Sequence, residues 1–337
     1  MREEASIAQW GQLYEAATKL KEKKPWERFW DMDIIGIQEG GEEDTVFISI
    51  LGRGGSCYGI AVYEGYERFN DYLLLATADT LKLSSEYAMF SQNNLTCYWG
   101  DRGELTGKQR EIIRELGYKY RGKNQWLYFV SYMAGYFPCS LDQDEVLRMT
   151  KHLGRLLEAL EWYENCQMSV RFQDANMFLY RRDEKTGQWE GVEEPLPFTS
   201  HQYEELVIDS EELKEELRNA PRTSAVLEMN MDYLGAAVTD KKYERPGNPW
   251  VCAAGDGDSG LIVDMALTEP GEDGGVRLAQ MAASYILSHG APKEIYVNNV
   301  LAGAVLAEIC RISGVSLMMA EELPVIREFM EAGLGGF

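Results

Sequence analysis

The spacing of apolar residues predicts a first half that mixes helices with strands. Between 5 and 23 apolar residues recur every three or four positions, which indicates an amphipathic helix. A longer stripe of the same kind predicts a helix over 142–164. Short runs rich in Ile, Val, Tyr and Phe are typical of strands and occur at 33–37, 45–51 and 56–63. We therefore predict an α+β N-terminal domain over 1–198.

Two connections in this half have distinctive compositions. Residues 52–56 read Gly-Arg-Gly-Gly-Ser, which is the composition of a phosphate-binding loop. Such a loop needs a helix after it, and here a strand-like run follows, so a hairpin is the better prediction. A second hairpin is predicted from 176–182 and 188–192. The Pro-containing stretch 193–197 after it is the best candidate for a linker.

The second half has a regular order of elements. Strand and helix signals alternate there as β-β-β-α-β-α-β-α, at 223–234, 249–254, 260–267, 274–288, 294–298, 300–312, 315–319 and 322–332. Short turns between the first three strands predict antiparallel pairing, and the helical crossovers predict parallel strands. The sequence thus predicts an α/β chain whose C-terminal domain, 204–337, is one mixed sheet with helices on its faces.

Three motifs in this order resemble a known fold. They are LEMNMDY at 227–233, DGDSGLIV at 256–263 and GAPKEIYVNN at 290–299. Together they are similar to the RNase H-like fold, and more closely to the core domain of retroviral-type integrases and transposases. In that family the first and third motifs each carry an acidic metal ligand, and the second forms a hairpin.

The resemblance implies a site for two divalent metals held by three carboxylates, which activate water for phosphodiester cleavage. Carried over by position, the first two ligands would be Asn230 and Asn298, which are amides and lack the charge that holds Mg²⁺. Asp232 or Glu228 stays open as a replacement for the first ligand. The third carboxylate stays open among Glu321, Glu322 and Glu328. The motifs therefore indicate a catalytically degenerate site, with neither catalytic residues nor a metal expected.

The alternative is a divergent metal-dependent nuclease or phosphodiesterase. It would use Asp232, Asp258 and a glutamate such as Glu328 with Mg²⁺ or Mn²⁺. Its carboxylates would have to converge at one edge of the sheet.

Charge argues against this alternative. The 337 residues contain 33 Lys and Arg against 55 Asp and Glu, a formal net charge of −22. A surface that binds nucleic acid is normally basic, because affinity comes from neutralising phosphates. One stretch differs: 108–123 has six basic and two acidic residues. It is either a solvated helix face or a binding patch. As a patch, it would bind an acidic ligand or the acidic half of this same chain.

The whole chain also resembles a bacterial two-domain family of unknown function. No run of about 18 apolar residues and no secretory signal occurs, and the six cysteines form no C-x-x-C pair. We therefore expect a cytoplasmic protein that does not enter a membrane. The expected function is non-enzymatic binding or regulation, with a basic protein or a small ligand as the partner.

Overall fold

The computed structural model of the chain describes residues 2–81, 83–203 and 206–334. These residues form nine α-helices and twelve strands. The helices are α1 (Ile7–Lys23), α2 (Gly65–Thr77), α3 (Ser85–Phe90), α4 (Gly107–Glu115), α5 (Gln143–Asn165), α6 (Glu211–Asn219), α7 (Gly274–His289), α8 (Val300–Ser313) and α9 (Pro324–Leu334). The strands are β1 (Ile35–Gln38), β2 (Val46–Leu51), β3 (Gly59–Glu64), β4 (Asn94–Gly100), β5 (Trp126–Tyr132), β6 (Asn176–Arg182), β7 (Trp189–Pro195), β8 (Val226–Tyr233), β9 (Trp250–Asp256), β10 (Leu261–Leu267), β11 (Glu294–Val297) and β12 (Ser316–Met319). This mixture confirms the predicted α/β class.

The chain folds into two compact units, each with its own sheet. The first unit contains the described residues up to Leu74, 92–133 and 138–201. The second contains 75–81, 83–91, 134–137 and the described residues from 202 onward. The domain boundaries 1–198 and 204–337 stay a prediction, and both Glu204 and Phe337 lie outside the described residues.

The first unit is built on a seven-stranded sheet covered on both faces. The strand order is β5-β4-β3-β2-β1-β6-β7, antiparallel except for the parallel pair of β1 and β6. Residues of α1 and α5 pack with Ile48 and Ile50 on one face, and residues of α2 pack with Phe47 and Tyr63 on the other. Coverage on both faces explains why these strands read as continuous apolar runs rather than alternating ones.

Both predicted hairpins of this unit form, but the predicted linker was wrong. Strands β2 and β3 pair antiparallel around 52–58, and β6 pairs antiparallel with β7. The stretch 193–197 does not begin a linker, because Glu193 to Pro195 continue β7, with Pro195 opposite Asn176. A proline is tolerated there because β7 is an edge strand, so the missing N–H interrupts no ladder.

The second unit has the mixed five-stranded sheet that the element order predicts. The strand order is β10-β9-β8-β11-β12; the first three strands are antiparallel, and β11 and β12 run parallel to β8. Leu227, Met229 and Met231 of β8 are buried, and Glu228, Asn230 and Asp232 alternate with them on the opposite face. Helix α9 covers this second face.

Contacts of α9 establish which face it covers. Ala253, the cross-strand partner of Asn230, packs against Leu323 and Ile326.

In the part of the chain that the structure describes, no helix is both long enough and apolar enough to span a membrane.

A half-buried ion cluster joins β3 to α2 and α5 in the first unit. Glu64 Oε1 lies 2.8 Å from His152 Nε2, Glu64 Oε2 accepts from Arg68 Nη1 at 2.6 Å, and Arg148 also contacts Oε2. Burial alone would raise the pKa of Glu64. The hydrogen bond with His152 and the charges of Arg148, His152 and Arg68 outweigh it and lower that pKa to about 2.

We expect Glu64→Gln to reduce the free energy of unfolding at pH 7 by about 1–3 kcal/mol. The folded-state pKa of Glu64 lies below that of the unfolded chain, about 4.3, so its stabilisation is complete above about pH 5 and disappears as the pH falls toward 2. Urea unfolding from pH 7 down to pH 3 measures this. The exposed Glu115→Gln is the control, and a difference between Glu64→Gln and the wild type that persists undiminished at pH 3 would contradict the account.

Candidate functional site

A cleft of about 280 Å³ opens between the sheet of the second unit and α9; we call it the α9 cleft. Its floor consists of side chains from β8, β9 and the end of β11: Asn230, Asp232, Val251, Ala253 and Asn298. Its wall comes from α9 and the turn before it: Glu321, Glu322, Leu323, Ile326, Arg327 and Met330. The cleft lies toward the carboxyl ends of the parallel strands β8 and β11, where sheets of this kind commonly bind ligands.

The two asparagines predicted to replace metal ligands both line this cleft. Asn230 Oδ1 accepts a hydrogen bond from Asn299 Nδ2 at 2.7 Å. Asn299 is buried and caps α8, since its Oδ1 accepts from the backbone N–H of Ala302 at 2.8 Å. Within this unit, Asn299 therefore both caps α8 and holds Asn230 by a hydrogen bond.

The amide oxygen of Asn298 is buried and unpaired within the described part of the chain. Its Oδ1 is inaccessible to solvent and has no hydrogen-bond partner among the described residues. A buried carbonyl without a donor carries an energetic cost, which the fold tolerates at this position of the cleft lining.

Asp232 is the acidic residue of the cleft floor. Its Oδ1 accepts hydrogen bonds from Ser84 Oγ at 2.9 Å and from the backbone N–H of Tyr233 at 2.8 Å. Ser84 also caps α3 by accepting from the N–H of Tyr87. Burial raises the pKa of Asp232 to about 6, although both hydrogen bonds favour the charged form.

Glu228 was the other candidate for the first ligand, and the structure places it beneath α9. The buried Oε2 of Glu228 accepts from the N–H groups of Val325 at 2.9 Å and Ile326 at 3.2 Å. These N–H groups lie in the first turn, where a helix has no internal acceptors and its dipole favours a negative charge. Glu228 therefore holds the cleft wall in place rather than lining the cleft.

The other two carboxylates of the predicted alternative site lie elsewhere. Asp258 is exposed in the β9–β10 turn, beyond the pair of Asp256 with Leu227. Leu227 and Asp232 are five residues apart on β8, which is about 17 Å along a strand. Glu328 is exposed on α9 and does not line the cleft. The structure therefore does not bring Asp232, Asp258 and Glu328 together.

Several oxygen atoms of the α9 cleft are already paired with protein groups. Asn230 Oδ1 and Asp232 Oδ1 already accept hydrogen bonds from protein groups. Glu322 contacts Arg327, which lines the same wall. Over 2–81, 83–203 and 206–334, no group of three or more His, Cys, Asp and Glu side chains is arranged to hold a metal ion.

Sequence reasoning missed Ser84 and Arg327 as members of the site. Ser84 precedes Asp232 by 148 residues, and no motif at either position links them. Arg327 lies in the first turns of α9, and Glu322 lies five residues earlier, in the turn before the helix. That spacing predicts a contact only when the position of the helix start is known.

The family comparisons agree in giving no established activity. A sequence model described as a domain of unknown function, DUF7309, matches residues 10–181, slightly more than half of the chain. The chain belongs to the DUF7309 family. A second domain of unknown function, DUF6930, matches residues 213–332 and so includes the α9 cleft. No curated protein matches this DUF7309 chain.

One solved structure similar to the chain is the cryoEM structure of the simian T-cell lymphotropic virus intasome in complex with PP2A regulatory subunit B56 gamma. The sequence identity is 14% and the TM-score is 0.24. The match covers 33% of this chain and 39% of that one, so the chain spans about two fifths of the length of the solved protein. A likeness of this extent carries no conclusion about activity.

We expect Glu228→Ala to lower the free energy of unfolding by about 1–3 kcal/mol, because it leaves the half-buried N–H of Val325 and the buried N–H of Ile326 without an acceptor. Chemical denaturation measures the loss. The matched control is Glu328→Ala, which removes an exposed glutamate from the same helix and should change stability by less than about 0.5 kcal/mol. Equal effects of the two substitutions would show that Glu228 does not cap α9.

Proposed function

We propose that the chain is a non-enzymatic binding protein whose second unit is an RNase H-like domain with a degenerate metal site. The α9 cleft at that site binds a cationic group, supplied by a basic protein or by a small ligand. The bacterial cytoplasm is the proposed setting, which cysteines present as thiols rather than disulfides favour.

The observation that carries the proposal is the polarity of the cleft. Its lining combines three acidic side chains, Asp232, Glu321 and Glu322, with the amides of Asn230 and Asn298. The basic member of the lining, Arg327, contacts Glu322. A ligand that satisfies such a lining must donate hydrogen bonds and carry positive charge, as a guanidinium or an ammonium group does.

The apolar part of the wall fits the same ligand. Leu323, Ile326 and Met330 line the cleft beside Val251 and Ala253 of the floor. Lysine and arginine side chains bury their aliphatic stems against apolar surface and place the charged head at polar groups. The cleft volume of about 280 Å³ lies near the lower end of the range for small-ligand pockets. One basic side chain, or a small amine, is therefore the occupant that we propose.

Asp232→Asn should weaken binding of a fluorescein-labelled peptide of alternating arginine and glycine about tenfold, measured by fluorescence anisotropy. Wild-type binding should also weaken as the pH falls through about 6, because protonation of Asp232 removes its charge. Asp258→Asn is the matched control, since it makes the same charge change at the far end of β8. Equal losses of peptide affinity in both variants would show that the peptide is held only by general attraction to an acidic chain. That result would overturn the proposal.

The degenerate metal site has its own test. We expect the double variant Asn230→Asp, Asn298→Asp to gain Mn²⁺ binding in isothermal titration calorimetry, because two added carboxylates supply the charge that hard cations require. The control is Asn165→Asp, Asn219→Asp, which adds the same charge at two exposed positions. If the control gains as much Mn²⁺ affinity, the two cleft positions are not former ligand positions.

A metal-dependent nuclease or phosphodiesterase is the second candidate, and one observation favours it: Asp232, Glu321 and Glu322 line the same cleft. Incubation of the full chain with plasmid DNA and single-stranded RNA, in Mg²⁺ or Mn²⁺, separates the two candidates. Under our proposal no cleavage depends on Asp232. Cleavage that Asp232→Asn abolishes and Asp258→Asn preserves would establish the nuclease instead.

A further inference from the structure

The first unit has a large cleft of opposite charge, which the proposed function does not use. It has a volume of about 790 Å³ and is formed by α4, the segment that follows it and the turn at Arg102; we call it the basic cleft. Its charged lining residues are Arg102, Arg110, Glu111, Arg114, Lys119 and Arg121. Five cations therefore face one carboxylate, in a chain whose formal net charge is −22.

Most of these cations have no acidic partner in the part of the chain that the structure describes. Arg114 Nη2 donates to Glu111 Oε1 at 3.0 Å. Among the described residues, no carboxylate lies within ion-pair distance of Arg102, Arg110, Lys119 or Arg121, although acidic residues outnumber basic ones in the chain. Clustered like charges repel one another, and a cleft lined by one sign of charge concentrates the field that attracts an oppositely charged ligand.

Aromatic rings lie between the cations. The segment after α4 reads Tyr118-Lys119-Tyr120-Arg121, with half-buried rings alternating with exposed charges. Tyr118 stacks on Tyr120 with ring centroids 5.5 Å apart and an interplanar angle of 11°. Trp126 contacts Tyr120 edge to face at 6.0 Å.

The guanidinium carbon of Arg102 lies 5.8 Å from the ring centroid of Trp126. Planar guanidinium groups and aromatic rings are the surfaces on which nucleobases stack.

We propose that the basic cleft binds a phosphorylated nucleoside, with its phosphates at the arginines and its base against the aromatic side chains. Arginine pairs with phosphate through two parallel hydrogen bonds, which suits Arg110 and Arg121. The volume exceeds what an inorganic phosphate needs and lies within the range of small-ligand pockets. The negative charge of the whole chain repels long polyanions, which favours a free nucleotide over a nucleic-acid strand.

Titration of the full chain by isothermal titration calorimetry tests this proposal with ADP, adenosine, pyrophosphate, a peptide of aspartate and glutamate, and a single-stranded oligonucleotide. We expect ADP to bind at least about tenfold more tightly than adenosine or pyrophosphate, because each of these lacks half of the recognised chemistry. If the oligonucleotide binds more tightly than ADP and loses binding in the arginine variant below, the phosphates and bases that the cleft recognises belong to a nucleic-acid strand rather than to a free nucleotide. Pyrophosphate or the acidic peptide binding as tightly as ADP would overturn the proposal.

Variants assign the binding to this cleft. Arg110→Ala with Arg121→Ala should weaken ADP binding about a hundredfold. Lys185→Ala with Lys241→Ala, which removes the same charge from two exposed positions outside the cleft, should change it less than about twofold.

Tyr120→Leu should weaken ADP binding but not pyrophosphate binding, and Tyr120→Phe should preserve both. Thermal unfolding monitored by circular dichroism establishes that each variant is folded. Unchanged ADP affinity in the folded arginine variant would overturn the proposal, and since the basic cleft belongs to the first unit, that result is independent of the outcome for the α9 cleft.

Discussion

The buried carboxylate of Glu228 accepts hydrogen bonds from the first turn of α9, and the α9 cleft depends on that contact. A buried glutamate is costly unless its oxygens are satisfied, and the first turn of a helix has N–H groups that need acceptors. Each group therefore stabilises the other. Because Glu228 points to the same face of β8 as Asn230 and Asp232, the helix that it anchors passes beside those two side chains and becomes the wall of the cleft.

The amides in the cleft change which ligand it can bind. In a two-metal site, carboxylates at these positions are neutralised by the cations they hold. Here Asn230 is neutral and hydrogen-bonded to Asn299, the capping residue of α8, so the protein itself occupies an acceptor that a metal would use. Asp232 remains, and burial raises its pKa to about 6. One buried carboxylate beside two neutral amides suits a hydrogen-bond donor with a single positive charge better than a divalent ion.

Net charge describes this chain poorly. A formal charge of −22 predicts that the chain has no general nucleic-acid surface, but it averages over a cleft where five cations face one carboxylate. Local separation of this kind allows one chain to present an acceptor-lined cleft in one unit and a cationic cleft in the other. The two clefts therefore suit ligands of opposite charge.

The sequence by itself determined the order of elements, because hydrophobic periodicity and turn residues are local properties. It predicted the β-β-β-α-β-α-β-α succession and the hairpin connection at 52–56. It failed at 193–197, where proline indicates a break, although an edge strand accepts it.

Only the tertiary structure decided which side chains share a site. Strand alternation placed Glu228, Asn230 and Asp232 on one face but could not show that the first caps a helix while the other two line a cleft. Antiparallel pairing carries Asp258 to the far end of β8, and the fold brings Ser84 to Asp232 across 148 residues. Contacts between residues distant in sequence depend on packing, and no local pattern encodes them.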